Sequence, residues 1–238
     1  MHYNKTIPAV LGVGNALVDI ITVLKNDSIL EKFGLPRGSM TLVDSELSKT
    51  IYETIISDKI EMSTGGSVAN TMRTLASLGG KGGYLGKTGK DELGKVFKDA
   101  FEKKGIKTHL SFSETETGRV MGLVSPDSER TMATYLGAAA ELTPADFTPE
   151  LFAGYDYLYM EGYLVFNHEL IKAGVEMAKA AGLKIAIDLA SFNVVDANRD
   201  FLKDLIHDYV DIVFANEEEA KSLTGKEPEA ALYEISEM

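Results

Sequence analysis

The 238-residue chain has no cysteine and no tryptophan. Without thiols there is no disulfide framework and no thiolate metal site. Only four histidines occur, His2, His109, His168 and His207, and none stands at a metal-ligand spacing from another. Apolar runs are short. None reaches the roughly 18 residues that would span a bilayer, and the first eight residues hold no signal-peptide core. Positive charge is scarce too. The 24 Lys and Arg stand against 36 Asp and Glu, a formal net charge of −12, and no basic run interrupts the excess. That balance argues against nucleic acid or an anionic membrane as partner. Two nucleotide motifs are incomplete. Gly12-x-Gly14 has Leu17 where a dinucleotide fingerprint needs its third glycine, and no helix follows it directly. Gly86-Lys87-Thr88 resembles the end of a P-loop, but Lys81 occupies the position of the required first glycine. The expectation from these absences is a soluble, cytoplasmic protein.

What is present is ordinary globular composition, 45% hydrophobic and 25% charged, in a length that suits a large α/β domain with a small appendage. Short apolar runs at 9–14, 82–86, 157–160, 184–188 and 211–214 read as strands. Helical periodicity at 67–78, 91–104, 168–181, 199–207 and 217–223 alternates with them. Such alternation predicts a parallel sheet with helices on both faces. Residues 20–24, 40–43 and 106–136 break the rhythm. They are β-prone pieces, and within the third Pro126-Asp127-Ser128-Glu129 joins 118–124 to 130–135 as in a hairpin. A small separate sheet on one edge is expected there. Short helices are expected at 28–34, with Ser28 as N-cap, and at 45–56.

Four stretches carry chemistry. Asn15 and Asp19 follow the first strand, where open α/β sheets collect ligands. A carboxylate there can accept hydrogen bonds from vicinal hydroxyls, though it can also be a plain turn aspartate. Gly65-Gly66-Ser67-Val68-Ala69-Asn70 opens the helical stretch that ends at Gly79-Gly80. The glycines allow close backbone approach to a ligand, and Asn70 offers both a donor and an acceptor. The same residues also read as a glycine turn capped by Ser67. Gly86-x-x-Gly89-x-Asp91-x-x-Gly94 reads as a helix cap with close-packing glycines. Asn216-x-x-Glu219, after the last strand, fits a capping box and equally a pair that orients water around Mg²⁺. Tyr163 and Phe166 could stack on a nucleobase or serve packing.

In this order the four stretches resemble the ribokinase-like, or PfkB-type, carbohydrate kinases, most closely their adenosine-kinase-like branch. The resemblance extends over almost the whole chain. It implies a three-layer α/β/α core with a mostly parallel sheet and a small β-sheet lid from residues about 16–44 and 106–137. It further implies ATP-dependent phosphorylation of a hydroxymethyl group on a sugar or nucleoside. Substrate would be bound by Asn15, Asp19, Gly65, Gly66 and Asn70. Phosphate would lie near Asn216 and Glu219, with Mg²⁺ held through water by Glu219. ATP and Mg²⁺ are the implied cosubstrate and cofactor, and the protein would be a monomer or a homodimer through the lid. The family's second signature, Asp-Thr-x-Gly-Ala-Gly-Asp, which brings the catalytic base and an anion hole, does not occur after Glu219. The expectation is therefore the amino-terminal portion of such a kinase. The alternative is a non-catalytic sugar- or nucleoside-binding relative.

Overall fold

The structure, a computed structural model, describes residues 7–57 and 59–238. Most of the N-terminal segment read for a signal peptide lies outside these residues. In chain order the elements are β1 (Ala9–Val13), β2 (Leu17–Val23), α1 (Ser28–Phe33), β3 (Met40–Leu42), α2 (Ser45–Ile55), β4 (Ile60–Gly65), α3 (Ser67–Ser77), β5 (Lys81–Gly89), α4 (Glu92–Lys103), β6 (Lys107–Ser113), β7 (Thr117–Val124), β8 (Arg130–Gly137), β9 (Tyr157–Glu161), α5 (His168–Ala180), β10 (Lys184–Asp188), α6 (Phe192–Tyr209), β11 (Ile212–Phe214), α7 (Glu217–Thr224) and α8 (Pro228–Ser236). Short 3-10 turns fill residues 138–152 and 162–166.

A six-stranded sheet runs β11-β10-β9-β1-β5-β6, every pair parallel. Alternate side chains leave its two faces, as strand geometry requires. Leu158, Met160, Ile185 and Ile187 enter the core against α5 and α6, while Tyr159 and Ala186 enter the core on the other face. That second core holds Met72 of α3 and Phe97 and Phe101 of α4. A helix layer on each side is the physical requirement of a parallel sheet buried on both faces.

The second sheet runs β3-β8-β7-β2-β4. Val18 and Ile20 of β2 face inward with Met121, Leu123 and Ala133, packed with Leu30 of α1 and Ile51 and Ile55 of α2. Asp19, Ile21 and Val23 lie on the opposite face by alternation. The 125–129 turn joins β7 to β8 as an antiparallel hairpin, as expected.

Several expectations are corrected. β6, placed in the small sheet by its texture, pairs with β5 and forms an edge of the large sheet. The reason is the α4 crossover, which returns the chain parallel to β5. β4, left out of the expected lid segments, is an edge strand of the small sheet. The helix expected from 199 begins at Phe192; Asn198 (φ −132, ψ 21) interrupts it and masks its first half in the periodicity. Asp27, not Ser28, is the N-cap of α1. Gly66 is the N-cap of α3, so Ser67 does not cap it, and the Ser67 hydroxyl is buried without a partner.

Candidate functional site

The large sheet brings the carboxyl ends of β11, β10, β9 and β1 side by side. Each end carries a polar residue: Asn216 just past β11, Asp188 on β10, Glu161 on β9 and Asn15 just past β1. Three inter-strand steps separate the outermost two, about 14 Å. The small sheet approaches the β1 end, because β2 leaves directly from Asn15.

At that end, Asn15 is 6% exposed and Glu161 only 2%. The Asn15 backbone N–H donates to Glu161 Oε2 (2.9 Å), and its side-chain Nδ2 donates to Oε1 (3.0 Å). Asp19 lies within β2 rather than in a turn, opposite Ser63 of β4. Its carboxylate rests over Gly65: a Cβ there would stand 2.0 Å from Asp19 Oδ1. Gly66 (φ +96) passes the Asn15 carbonyl so closely that a Cβ would stand 2.4 Å from it. The two glycines are thus what lets Asn15, Asp19 and the start of α3 converge. Asn70 sits one turn into α3, and its Oδ1 accepts from Arg73 Nη1 (3.3 Å), which also donates to the Thr64 carbonyl (2.9 Å).

Electrostatics at this end are those of anions short of cations. Burial raises the Asp19 carboxyl above its ordinary 3.8, and the Arg73 charge partly offsets it. Burial pushes Glu161 up to about 7; the two Asn15 donors oppose the shift and Asp188 adds to it. Tyr159, hydrogen-bonded at 3.4 Å to Asp188 Oδ2, is pushed up to about 12, first by burial and then by Asp188.

At the other end, Asn216 and Glu219 form the full capping box of α7. Asn216 Oδ1 accepts from the Glu219 N–H (2.9 Å), and Glu219 accepts from the Asn216 N–H (2.9 Å) and Nδ2 (2.8 Å). Glu219 is 5% exposed. Its carboxyl is raised by burial, with Asp188 and Glu218 adding to the shift. Asp188 takes the Ala190 N–H (2.7 Å) on one oxygen, and Ala190 itself adopts φ +66. A backbone held there without glycine is local strain at the sheet's carboxyl edge.

The sequence-read residues therefore form two groups. Asn15, Asp19, Gly65, Gly66 and Asn70 come together, while Asn216 and Glu219 lie across the row, with Asp188 between. Glu161, Asp188 and Arg73 were missed. The rule that selected Asn15, a polar residue at the carboxyl end of an apolar strand, also points to Glu161 and Asp188. Arg73 carries no such signal. Tyr163 and Phe166 fall in the turn after β9, 37% and 64% exposed. Gly86-x-x-Gly89-x-Asp91-x-x-Gly94 caps α4 through Asp91, as expected. His109 bonds Tyr155, and His168 stacks on Phe201 and bonds Asn198. No three His, Asp or Glu among the described residues are grouped to hold a metal ion. No helix among them is long and apolar enough to cross a membrane.

Several known kinases are similar to this chain. Adenosine kinase from Dictyostelium discoideum is 32% identical over 228 residues, covering 91% of this chain and 65% of that protein. Guanosine-inosine kinase from Escherichia coli K12 is 25% identical over 237 residues, covering 94% of this chain and 54% of that protein. The chain thus spans less than two thirds of the length of either. Among solved structures, adenosine kinase from Sinorhizobium meliloti superposes with a TM-score of 0.83 at 34% identity, covering 95% of this chain and 71% of that one. The expected core, a mostly parallel sheet between helix layers with a second small sheet, is the one observed. The family model for pfkB carbohydrate kinases matches residues 39–237, and the chain belongs to that family, on its adenosine-kinase-like side.

Proposed function

We propose that this chain provides the substrate-binding part of an ATP-dependent kinase acting on the hydroxymethyl group of a ribosyl compound, a nucleoside before a free sugar. The single observation that carries the reading is the convergence of Asn15 and Asp19 on the Gly65-Gly66 turn, with Asn70 one helical turn beyond it and its backbone N–H donating to the Gly66 carbonyl (3.0 Å). Hydroxyl-rich ligands need paired donors and acceptors on a surface where backbone can approach closely. The names of the relatives, adenosine kinase and guanosine-inosine kinase, support a nucleoside.

ATP is the proposed phosphoryl donor. Its phosphates belong on the Asp188–Asn216–Glu219 side of the row. Asp188 raises the charge cost of both Glu161 and Glu219, and among the described residues no Lys or Arg bonds to any of the three. An oxygen-only, cation-poor set of this kind fits Mg²⁺, which keeps most of its waters and takes one or two carboxylates plus substrate phosphates. Glu219, and next to it Asp188, would hold it through water. When bound, the ion supplies charge neutralisation at the transferring phosphate. The chain's own contribution is positioning: Asp19, Asn15 and Asn70 fix the ribosyl hydroxyls so that the hydroxymethyl points along the sheet edge. The family's second signature, which brings the base, is absent from these 238 residues, so the test of this chain is binding. Calorimetry with adenosine, inosine and ribose should show a ribosyl ligand binding. Asp19→Ala should weaken it by roughly 1–3 kcal/mol per lost hydroxyl bond and leave Mg-ATP binding unchanged. Equal losses for both ligands, or stabilisation by NAD alone, would overturn the proposal.

A further inference from the structure

The two asparagines of the pocket are held by opposite kinds of partner. Glu161 can only accept hydrogen bonds when ionised, so the Asn15 amide is fixed with Nδ2 toward Glu161 (3.0 Å) and Oδ1 directed away. Asn15 Oδ1 has no protein partner among the described residues. Arg73 can only donate, so the Asn70 amide is fixed the other way, with Oδ1 toward Arg73 (3.3 Å) and Nδ2 without a partner among the described residues. Both holds are doubled. Glu161 also takes the Asn15 backbone N–H (2.9 Å), and Arg73 also grips the Thr64 carbonyl (2.9 Å). Neither amide can reverse without facing donor to donor or acceptor to acceptor.

We infer that Glu161 and Arg73 are positioning residues that set the polarity of the pocket: an acceptor at Asn15, acceptors at Asp19 and a donor at Asn70. This rests on the reading of the pocket as ribosyl-binding. A ligand hydroxyl there must donate toward Asn15 or Asp19, and one of the pair must accept from Asn70. A vicinal diol satisfies that code, whereas a deoxy position leaves a protein group unpaired. Selectivity for the diol thus comes from residues that do not touch it.

The test compares adenosine, 2′-deoxyadenosine and 3′-deoxyadenosine by titration calorimetry on the 238-residue chain and on Glu161→Gln and Arg73→Met. At pH 8, above the value of about 7 to which burial raises it, Glu161 is an acceptor. The parent chain should discriminate against at least one deoxy analogue by about tenfold, the worth of one good hydrogen bond. A glutamine at 161 can donate to Asn15 Oδ1 and so permits the reversed amide; a methionine at 73 releases Asn70. In each variant the discrimination should shrink at least threefold. Losses shared equally by all three ligands would show purely structural roles and overturn the inference while leaving the pocket reading intact. A parent chain that binds none of the three overturns the pocket reading and the inference with it. Arg73 is on a partly exposed helix face, so its variant keeps the test decisive if Glu161→Gln does not fold.

Discussion

Glu161 is the residue whose chemistry depends most on burial. Its carboxyl is raised from 4.5 to about 7, so between those values the folded chain holds a proton that the unfolded chain has lost. Stability from this group is therefore complete at low pH and falls as pH rises through about 7. At roughly 1.4 kcal/mol per pH unit of difference, the full loss is about 3 kcal/mol. The groups facing it are Asp188 on β10, Tyr84 on β5, Tyr159 on its own strand and Tyr163 in the following turn. Glu161→Gln removes the titration. Thermal melts of the two proteins from pH 5 to 8 should show the glutamine variant gaining on its parent as pH rises. A difference independent of pH would mean that Glu161 is ionised throughout. Asp19 and Glu219, also raised, push the parent's stability in the same direction and cancel in the comparison.

At the scale of elements, Asp91 joins the start of α4 to the start of β7. It accepts from the Gly94 N–H (2.8 Å), capping the helix, and from the Thr117 N–H (2.7 Å) and hydroxyl (2.6 Å). Burial pulls its carboxyl upward, but these hydrogen bonds outweigh it and hold the group below its ordinary value. Asp91→Ala forfeits a cap worth about 1 kcal/mol and strands the Thr117 donor at roughly 1–3 kcal/mol. Urea unfolding should show a loss of about 2–4 kcal/mol, the sum of those two effects. Thr117→Val should cost less, and the double variant less than the sum, because both changes cut one network. Behind this cap, Tyr84, Phe97 and Phe101 pack with ring centroids 4.6–5.4 Å apart. Phe101→Ala, which empties the centre of that group, should cost about 3–5 kcal/mol in the same assay. Elements with strong local signals were legible in the sequence. The Asp91 cap and the β7–β8 hairpin are written in adjacent residues. β6 was misplaced because an edge strand with a half-solvated face alternates like a strand of a small antiparallel sheet; only the crossover before it distinguishes the two. Glu161 and Asp188 stand where the strand-end rule points, but their partnership with Asn15 and with each other is supplied by sheet order, which no spacing in one chain records. Arg73 carries no sequence signal, because it acts through its side chain's reach to Asn70 and Thr64.

Across the whole molecule, the candidate pocket takes Asn15, Asp19 and Asn70 from the first part of the chain and Glu161 from the second, 146 residues beyond Asn15. It also joins the two sheets, with Asp19 on one and Glu161 on the other. A ligand seated there should raise the melting point of the chain as a unit, by about 2.7 kcal/mol of stability at a hundredfold excess over its Kd. Hydrogen exchange should show protection spreading through both sheets. Protection confined to one of them would show that the other does not contribute to the site.

The row of polar strand ends across β11, β10, β9 and β1 has a kinetic consequence. Parallel pairing of β1 with β9 closes a loop of well over a hundred residues, a slow and late event in folding. The pocket cannot exist before that closure, so a bound ribosyl ligand has nothing to grip in the transition state if closure follows it. In stopped-flow chevrons, saturating ligand should then slow unfolding while leaving the refolding limb in place. A ligand that sped refolding instead would put the β1–β9 pairing in the folding nucleus.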